Sequence, residues 1–166
     1  MTLTAQVAVV HSDRGLAARL VQGITGSAWN HIIVAINDTH CLSAEPGGAI
    51  VRPISYYDDH LVVWSRFELD AQQRRRIVNW AWQHVGVPYS WPDFIAAGIS
   101  SLTKRATPRW LRRFVARPDR LICSQLCDLA LQAGGLHLFA DHRPAGAVTP
   151  ASFGALFVEL GWSDTP

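Results

Sequence analysis

Lysine is nearly missing from this chain: of 15 basic side chains only Lys104 is a lysine. The rest are arginines, which we read as a compositional bias of the source genome rather than a functional signal. The net charge of +2 argues against the strongly basic surface of a nucleic-acid binder. Cysteine is sparse and odd in number, with Cys41, Cys123 and Cys127 alone. Without a CxxC pair or an HxxxH spacing, neither a disulfide framework nor a zinc pattern is indicated. No apolar run approaches the roughly 18 residues of a membrane-spanning helix. The opening MTLTAQVAVVHSD lacks the basic start and long apolar core of a secretory leader. The expectation is a cytoplasmic protein, with release by a non-signal route left open.

What is present suits one folded domain over residues 1–166, since 49% of residues are hydrophobic and 17% charged, the balance of a globule. Seven tryptophans suit either a core or the wall of a groove. Short apolar runs at Gln6–His11, His31–Asn37, Cys41–Glu45, Ala49–Ile54 and Leu61–Phe67 read as strands. Their connections are too short for crossover helices, so a mostly antiparallel sheet is expected. A helix is expected from Arg14 to Ile24. Another runs from Ala71 to about Val85, opened by an Asp70/Gln73 capping box and ended by Gly86. Further helices are expected at Phe94–Leu102 and Pro108–Ala116. A last short helix opens at Thr149-Pro150, and a strand follows near Phe157–Leu160. The class is α+β.

One stretch carries the chemistry. In LICSQLCDLALQAGG (Leu121–Gly135), a helix starting at the pattern's first turn places Cys123 among unpaired backbone N–H groups. Together with the helix dipole these favour a thiolate, a ready nucleophile. Cys127 and Cys41 read as small buried hydrophobes. Ser124 is either a hydrogen-bond donor at the helix start or a plain helix residue.

A nucleophilic cysteine needs a base. Of the histidines, His31 stands out because it opens a strongly apolar strand, where a polar side chain either faces a cleft or is a hydrogen-bonded structural histidine. A three-residue Asn37–Thr39 loop would pair Ile36 with His40 and set Glu45 opposite His31. There a carboxylate can orient the ring and stabilise the imidazolium. A four-residue loop would send Glu45 to the other face.

Taken together, VGVPYSW at Val85–Trp91 and ICSQLCDLALQAGG resemble the signature of NlpC-type cell-wall cysteine peptidases. Here WNHIIVAIND and SAEPGGAI precede the cysteine, and Thr149–Phe153 (TPASF) follows it. That order resembles the circularly permuted papain-like branch, the YiiX/YaeF-like amidases related to lecithin–retinol acyltransferase. The resemblance spans roughly Gln6 to Phe153. It implies an antiparallel sheet or half-barrel packed against helices, with Cys123 as nucleophile, His31 as base and Glu45 as orienting residue. Tyr89 would match a tyrosine near the active site, or else it packs the loop between two prolines. The chain departs from the pattern in its arginine-rich stretch Lys104–Arg120 and in having Ile122 where an aspartate is usual.

The expected function is therefore an amidase or peptidase of papain-like type, acting through an acyl-enzyme on Cys123 and needing no cofactor. The family resemblance suggests cell-wall peptides or other small amides as substrates, and acyl esters or amides for a thioesterase or acyltransferase-like enzyme. The competing class is a non-catalytic binding module on the same scaffold. Lys104–Arg120 reads either as a contact for an anionic cell-wall or lipid surface or as a solvated helix face.

Overall fold

β-branched residues, stiff at χ1 and suited to a pleated surface, build the sheet of this protein. The structure is a computed structural model that describes residues 2–12, 27–45, 47–88, 122–139 and 148–165. The strands are β1 (Val7–His11), β2 (His31–Ala35), β3 (His40–Glu45), β4 (Gly48–Pro53) and β5 (Leu61–Trp64). They lie in the order β4-β3-β2-β1-β5, with every pairing antiparallel. A 3-10 turn at Ile54–Tyr57 carries the chain out of β4, at one edge, toward β5 at the other.

Both faces of the central strands are buried. Ile32 and Val34 join Val7, Val9, Leu42 and Ala44 on one face, while Ile33 joins Ala8, Val10, Cys41 and Tyr57 on the other. That double burial explains why HIIVA is a continuous apolar run instead of an alternating one. Register is set by the β2–β3 turn. The Asn37 side-chain oxygen accepts from the Thr39 and His40 N–H groups at 2.8 and 2.7 Å, and the Ile36 N–H reaches the His40 carbonyl at 2.9 Å. An Asx side chain thus closes the loop and fixes its length.

Three helices complete the described elements: α1 (Ala71–Gln83), α2 (Cys123–Ala133) and α3 (Pro150–Glu159). Asp70 caps α1 by accepting from Gln72 and Gln73, and Gln73 returns a bond to the Asp70 N–H, the reciprocal box that the sequence spells out. α2 packs against α1 on one side and against β2 and β3 on the other. Its stripe of Leu126, Cys127, Ala130 and Leu131 is fully buried; removing a leucine side chain of this kind from water is worth about 1.5–3 kcal/mol.

One expected element is different. Phe157–Leu160 is no strand, because α3 runs on to Glu159. Its Thr149/Ser152 capping box, Pro150 in the first turn, and the buried Phe153 and Phe157 one turn apart favour a helix. Gly154 lets α3 lie directly on Trp29, since a Cβ there would come 2.1 Å from the indole Cδ1. Other strands and helices end one to three residues earlier than the pattern suggests, as at Ala35, Trp64 and Gln83. The expected helices Arg14–Ile24, Phe94–Leu102 and Pro108–Ala116, with Tyr89 and Lys104–Arg120, lie outside the described residues. Among those described, no helix is long and apolar enough to cross a membrane.

Candidate active site

His31 is the first residue of β2 and is only partly buried. Its Nε2 lies 2.8 Å from the Ser43 hydroxyl. Ser43 donates to Glu45 Oε1 at 2.9 Å and accepts from the Tyr57 hydroxyl at 2.9 Å. Arg52, on the neighbouring β4, clamps Glu45 through two bonds of 2.8 Å and stacks its guanidinium 4.3 Å from the Tyr56 ring centre. Strand alternation explains the grouping. Ser43 and Glu45 are two apart on β3, and the β2–β3 register that pairs Ile33 with Ser43 would set Glu45 opposite His31. His31 therefore reaches Glu45 through a serine and not directly.

The electrostatics follow from this packing. Burial pushes the His31 imidazole down to about 4, a nearby His60 adds to that, and the Glu45 charge works against it. Burial also opposes the Glu45 charge, but hydrogen bonds from Arg52 and Ser43 outweigh it and hold the carboxyl below its ordinary range. Burial raises the Tyr57 phenol far above its ordinary value, so it keeps its proton. His60 lies beside Tyr57 with ring centres 5.9 Å apart. Its Nδ1 is 2.8 Å from an Asp59 oxygen but not aligned as a hydrogen bond.

Cys123 comes to the same end of β2 from the other face of the sheet. It is the first residue of α2, whose N-cap is Ile122 and carries no side-chain cap. The helix's first N–H groups thus have no side-chain partner at the cap, and the backbone N–H groups of Ile32, Ser124 and Cys123 itself act to favour the thiolate. Strand geometry accounts for the Ile32 donor. Alternate N–H groups of β2 face β3, as that of Ile36 does, so that of Ile32 does too. The ladder stops at Ile33–Ser43, so the Ile32 N–H lies beyond the last pair, where it acts on the Cys123 thiol. Cys123 therefore sits where the two strands part, one residue along the backbone from His31. Among the hydrogen bonds of the described residues, none joins His31 to Cys123 directly.

One expectation is corrected. The helix N-terminus was expected to favour a thiolate, yet Cys123 is 3% exposed, and burial pushes its thiol up to about 11 against the three N–H donors. Desolvation outweighs the helix terminus. The resting pair is neutral thiol and neutral imidazole. Ser124 does not cap the helix either; it donates to the Val148 carbonyl at 2.6 Å, tying α2 to the segment that opens α3. Cys41 and Cys127 are buried, as small hydrophobes are.

Sequence reasoning missed Ser43, Arg52 and Tyr57. The signal for Ser43 is a lone hydroxyl in an apolar strand, two residues from Glu45. Arg52 and Tyr57 become visible only once β4 is paired with β3. The described part of the tyrosine loop also docks here: the Ala49 N–H donates to Val87 at 2.9 Å and the Gly86 N–H to Ala49 at 2.7 Å. The root of that loop therefore lies beside Gly48, the partner of Glu45 in the β3–β4 ladder.

Comparison with known proteins is sparse. No family model matches the chain, and no curated protein does. Among solved structures, the chain matches the crystal structure of metalloprotein yiiX from Escherichia coli O157:H7, with a TM-score of 0.58 at 17% identity, covering 98% of this chain and 84% of that one. At that identity the likeness speaks for the fold alone: this is a mixed α+β chain with a YiiX-like fold.

Proposed function

We propose that the protein is a papain-like cysteine hydrolase of the circularly permuted NlpC-type branch, cleaving an amide bond through an acyl-enzyme on Cys123. The observation that carries this reading is the convergence at the start of β2. Cys123, whose thiolate is favoured by the backbone N–H groups of Ile32, Ser124 and its own residue, comes to the strand end that His31 opens, and the His31 Nε2 is tied through Ser43 to a carboxylate. With Nε2 engaged, Nδ1 is the ring nitrogen left to take the Cys123 proton.

Because the resting groups are neutral, the thiol gives up its proton to Nδ1 as the sulfur attacks the carbonyl carbon. The electron pair of the C=O bond moves to oxygen, and the Cys123 N–H helps hold that oxyanion. Imidazolium Nδ1–H then protonates the leaving nitrogen as the C–N bond breaks. Water, deprotonated by His31, attacks the thioester and releases the acid with the thiol restored. Glu45, ionised and clamped by Arg52, favours the imidazolium formed midway. Resemblance points to cell-wall peptides and other small amides as substrates, with acyl esters or amides as the related option. Tyr89, as a substrate contact, and Lys104–Arg120, as a contact for an anionic surface, belong to the same reading, as does a cytoplasmic location.

The yiiX structure is titled a metalloprotein. Among the described residues of this chain, no three His, Cys, Asp or Glu side chains are grouped to hold a metal ion, and Glu45 is already committed to Arg52, so no step is routed through one. The test is hydrolysis of a muropeptide and acyl-substrate panel by wild type and Cys123→Ala. Equal turnover by both would sink the hydrolase and leave a binding module on the same scaffold.

A further inference from the structure

We infer that Ser43, held by Tyr57, is the positioning residue that fixes the tautomer of His31, with Glu45 acting on the ring only through it. This rests on the reading of His31 as the base for Cys123.

Counting protons leads to it. Glu45 is ionised against Arg52 at 2.8 Å and has no proton to give, so its contact with Ser43 at 2.9 Å spends the serine's one proton. The serine oxygen is left with two acceptor sites. Tyr57, whose hydroxyl lies 2.9 Å away, fills one of them. The remaining contact, His31 Nε2 at 2.8 Å, must then be an N–H that donates. The imidazole is accordingly the Nε2–H tautomer, and Nδ1 keeps a bare lone pair.

The competing arrangement is worse at each step. Tyr57 would donate to Glu45 at 3.4 Å in place of 2.9 Å to Ser43. Ser43 would abandon Glu45 to donate to a bare Nε2, which puts the proton on the wrong nitrogen for a base. Burial keeps water from the Ser43 and Tyr57 hydroxyls, since Ser43 is 0% and Tyr57 5% exposed. A serine in so apolar a strand is costly unless its oxygen is satisfied, and here all of its capacity is used. The ring of Tyr57 also packs near that of His31, with centroids 6.2 Å apart, so it limits rotation of the imidazole as well as supplying the proton.

The test needs no substrate. Imidazole 15N NMR of the full-length protein near neutral pH, with the His31 signal assigned by its loss in His31→Gln, should show the Nε2–H tautomer. Ser43→Ala should bring the two tautomers to comparable populations and cut alkylation of Cys123 by iodoacetamide about tenfold. Ser43→Thr, which keeps the hydroxyl, should restore both. Tyr57→Phe should shift the tautomer ratio in the same direction by a smaller factor. A wild-type His31 that is Nδ1–H or evenly mixed would overturn the inference, as would a folded Ser43→Ala with an unchanged ratio. Should Ser43→Ala fail to fold, the wild-type and Tyr57→Phe spectra still decide. Cys123-independent hydrolysis would sink the enzyme reading without touching the tautomer.

Discussion

His31 and Cys123 reach the same end of β2 from opposite faces of the sheet, and different forces hold them there. The histidine half is a polar device: a serine, a tyrosine and an ion pair, each bond directed by side-chain geometry. The cysteine half has little of this. Its helix start carries no side-chain cap, its donors are backbone N–H groups, and its position comes from the buried stripe of α2. In the first half chemistry is set by hydrogen-bond identity, in the second by depth. On the proposed reading, the nucleophile is aimed by packing, whereas the base depends on partners that choose which nitrogen is protonated.

Four changes would break or sharpen this contrast. The largest effect belongs to Cys123→Ala, which should reduce hydrolysis of the responsive substrate by at least about 10³-fold while circular dichroism shows the fold intact. Next, Leu126→Ala removes a fully buried side chain from the helix that Cys123 opens and should lower unfolding free energy in urea by about 2–5 kcal/mol. Glu45→Gln keeps the shape but leaves Arg52 facing a neutral partner, at a site whose side chains are 30% and 21% exposed. Its stability loss should be smaller, about 1–2 kcal/mol, with turnover falling about tenfold. If Glu45→Gln destabilised the protein more than Leu126→Ala, the division into a packed half and a bonded half would be wrong.

The fourth effect is on acid stability. Unfolded His31 gains its proton below 6.5 and folded His31 only below about 4, so protonation favours the unfolded chain across that window. Thermal melts should therefore lose stability as pH falls from 6.5 toward 4. His31→Gln should flatten that part of the curve, and an unaltered slope in the variant would assign it to other groups.

Much of the fold was legible because turn chemistry constrains register. Asn37, Asp38 and Thr39 left a three- or a four-residue loop open; the structure has three, and the β2–β3 register counted from it sets Glu45 on the face of His31. The Asp70/Gln73 pair and the glycines after α2 marked helix ends for equally local reasons. What failed to show was depth and partnership. A helix start reads as a thiolate site from sequence, but nothing in CSQLC says how far desolvation will oppose the charge. The role of Arg52 depends on β4 lying beside β3, and that of Tyr57 on a turn that carries its hydroxyl onto Ser43. The strand expected near Phe157–Leu160 is absent because the helix that the Thr149/Ser152 capping box opens runs on to Glu159.

The contact of Gly86 and Val87 with Ala49 has a consequence for the protein's behaviour in company. β4 is an edge of the sheet, and an edge strand presents unpaired amides that a neighbouring molecule can extend. Here two of those groups are consumed by the chain's own return from α1. Gly48, at φ +127° and with a would-be Cβ 3.1 Å from the Val87 carbonyl, is what permits the approach. A side chain at that position would do more than disturb a turn: it would reopen a docking edge, and the expected phenotype is self-association.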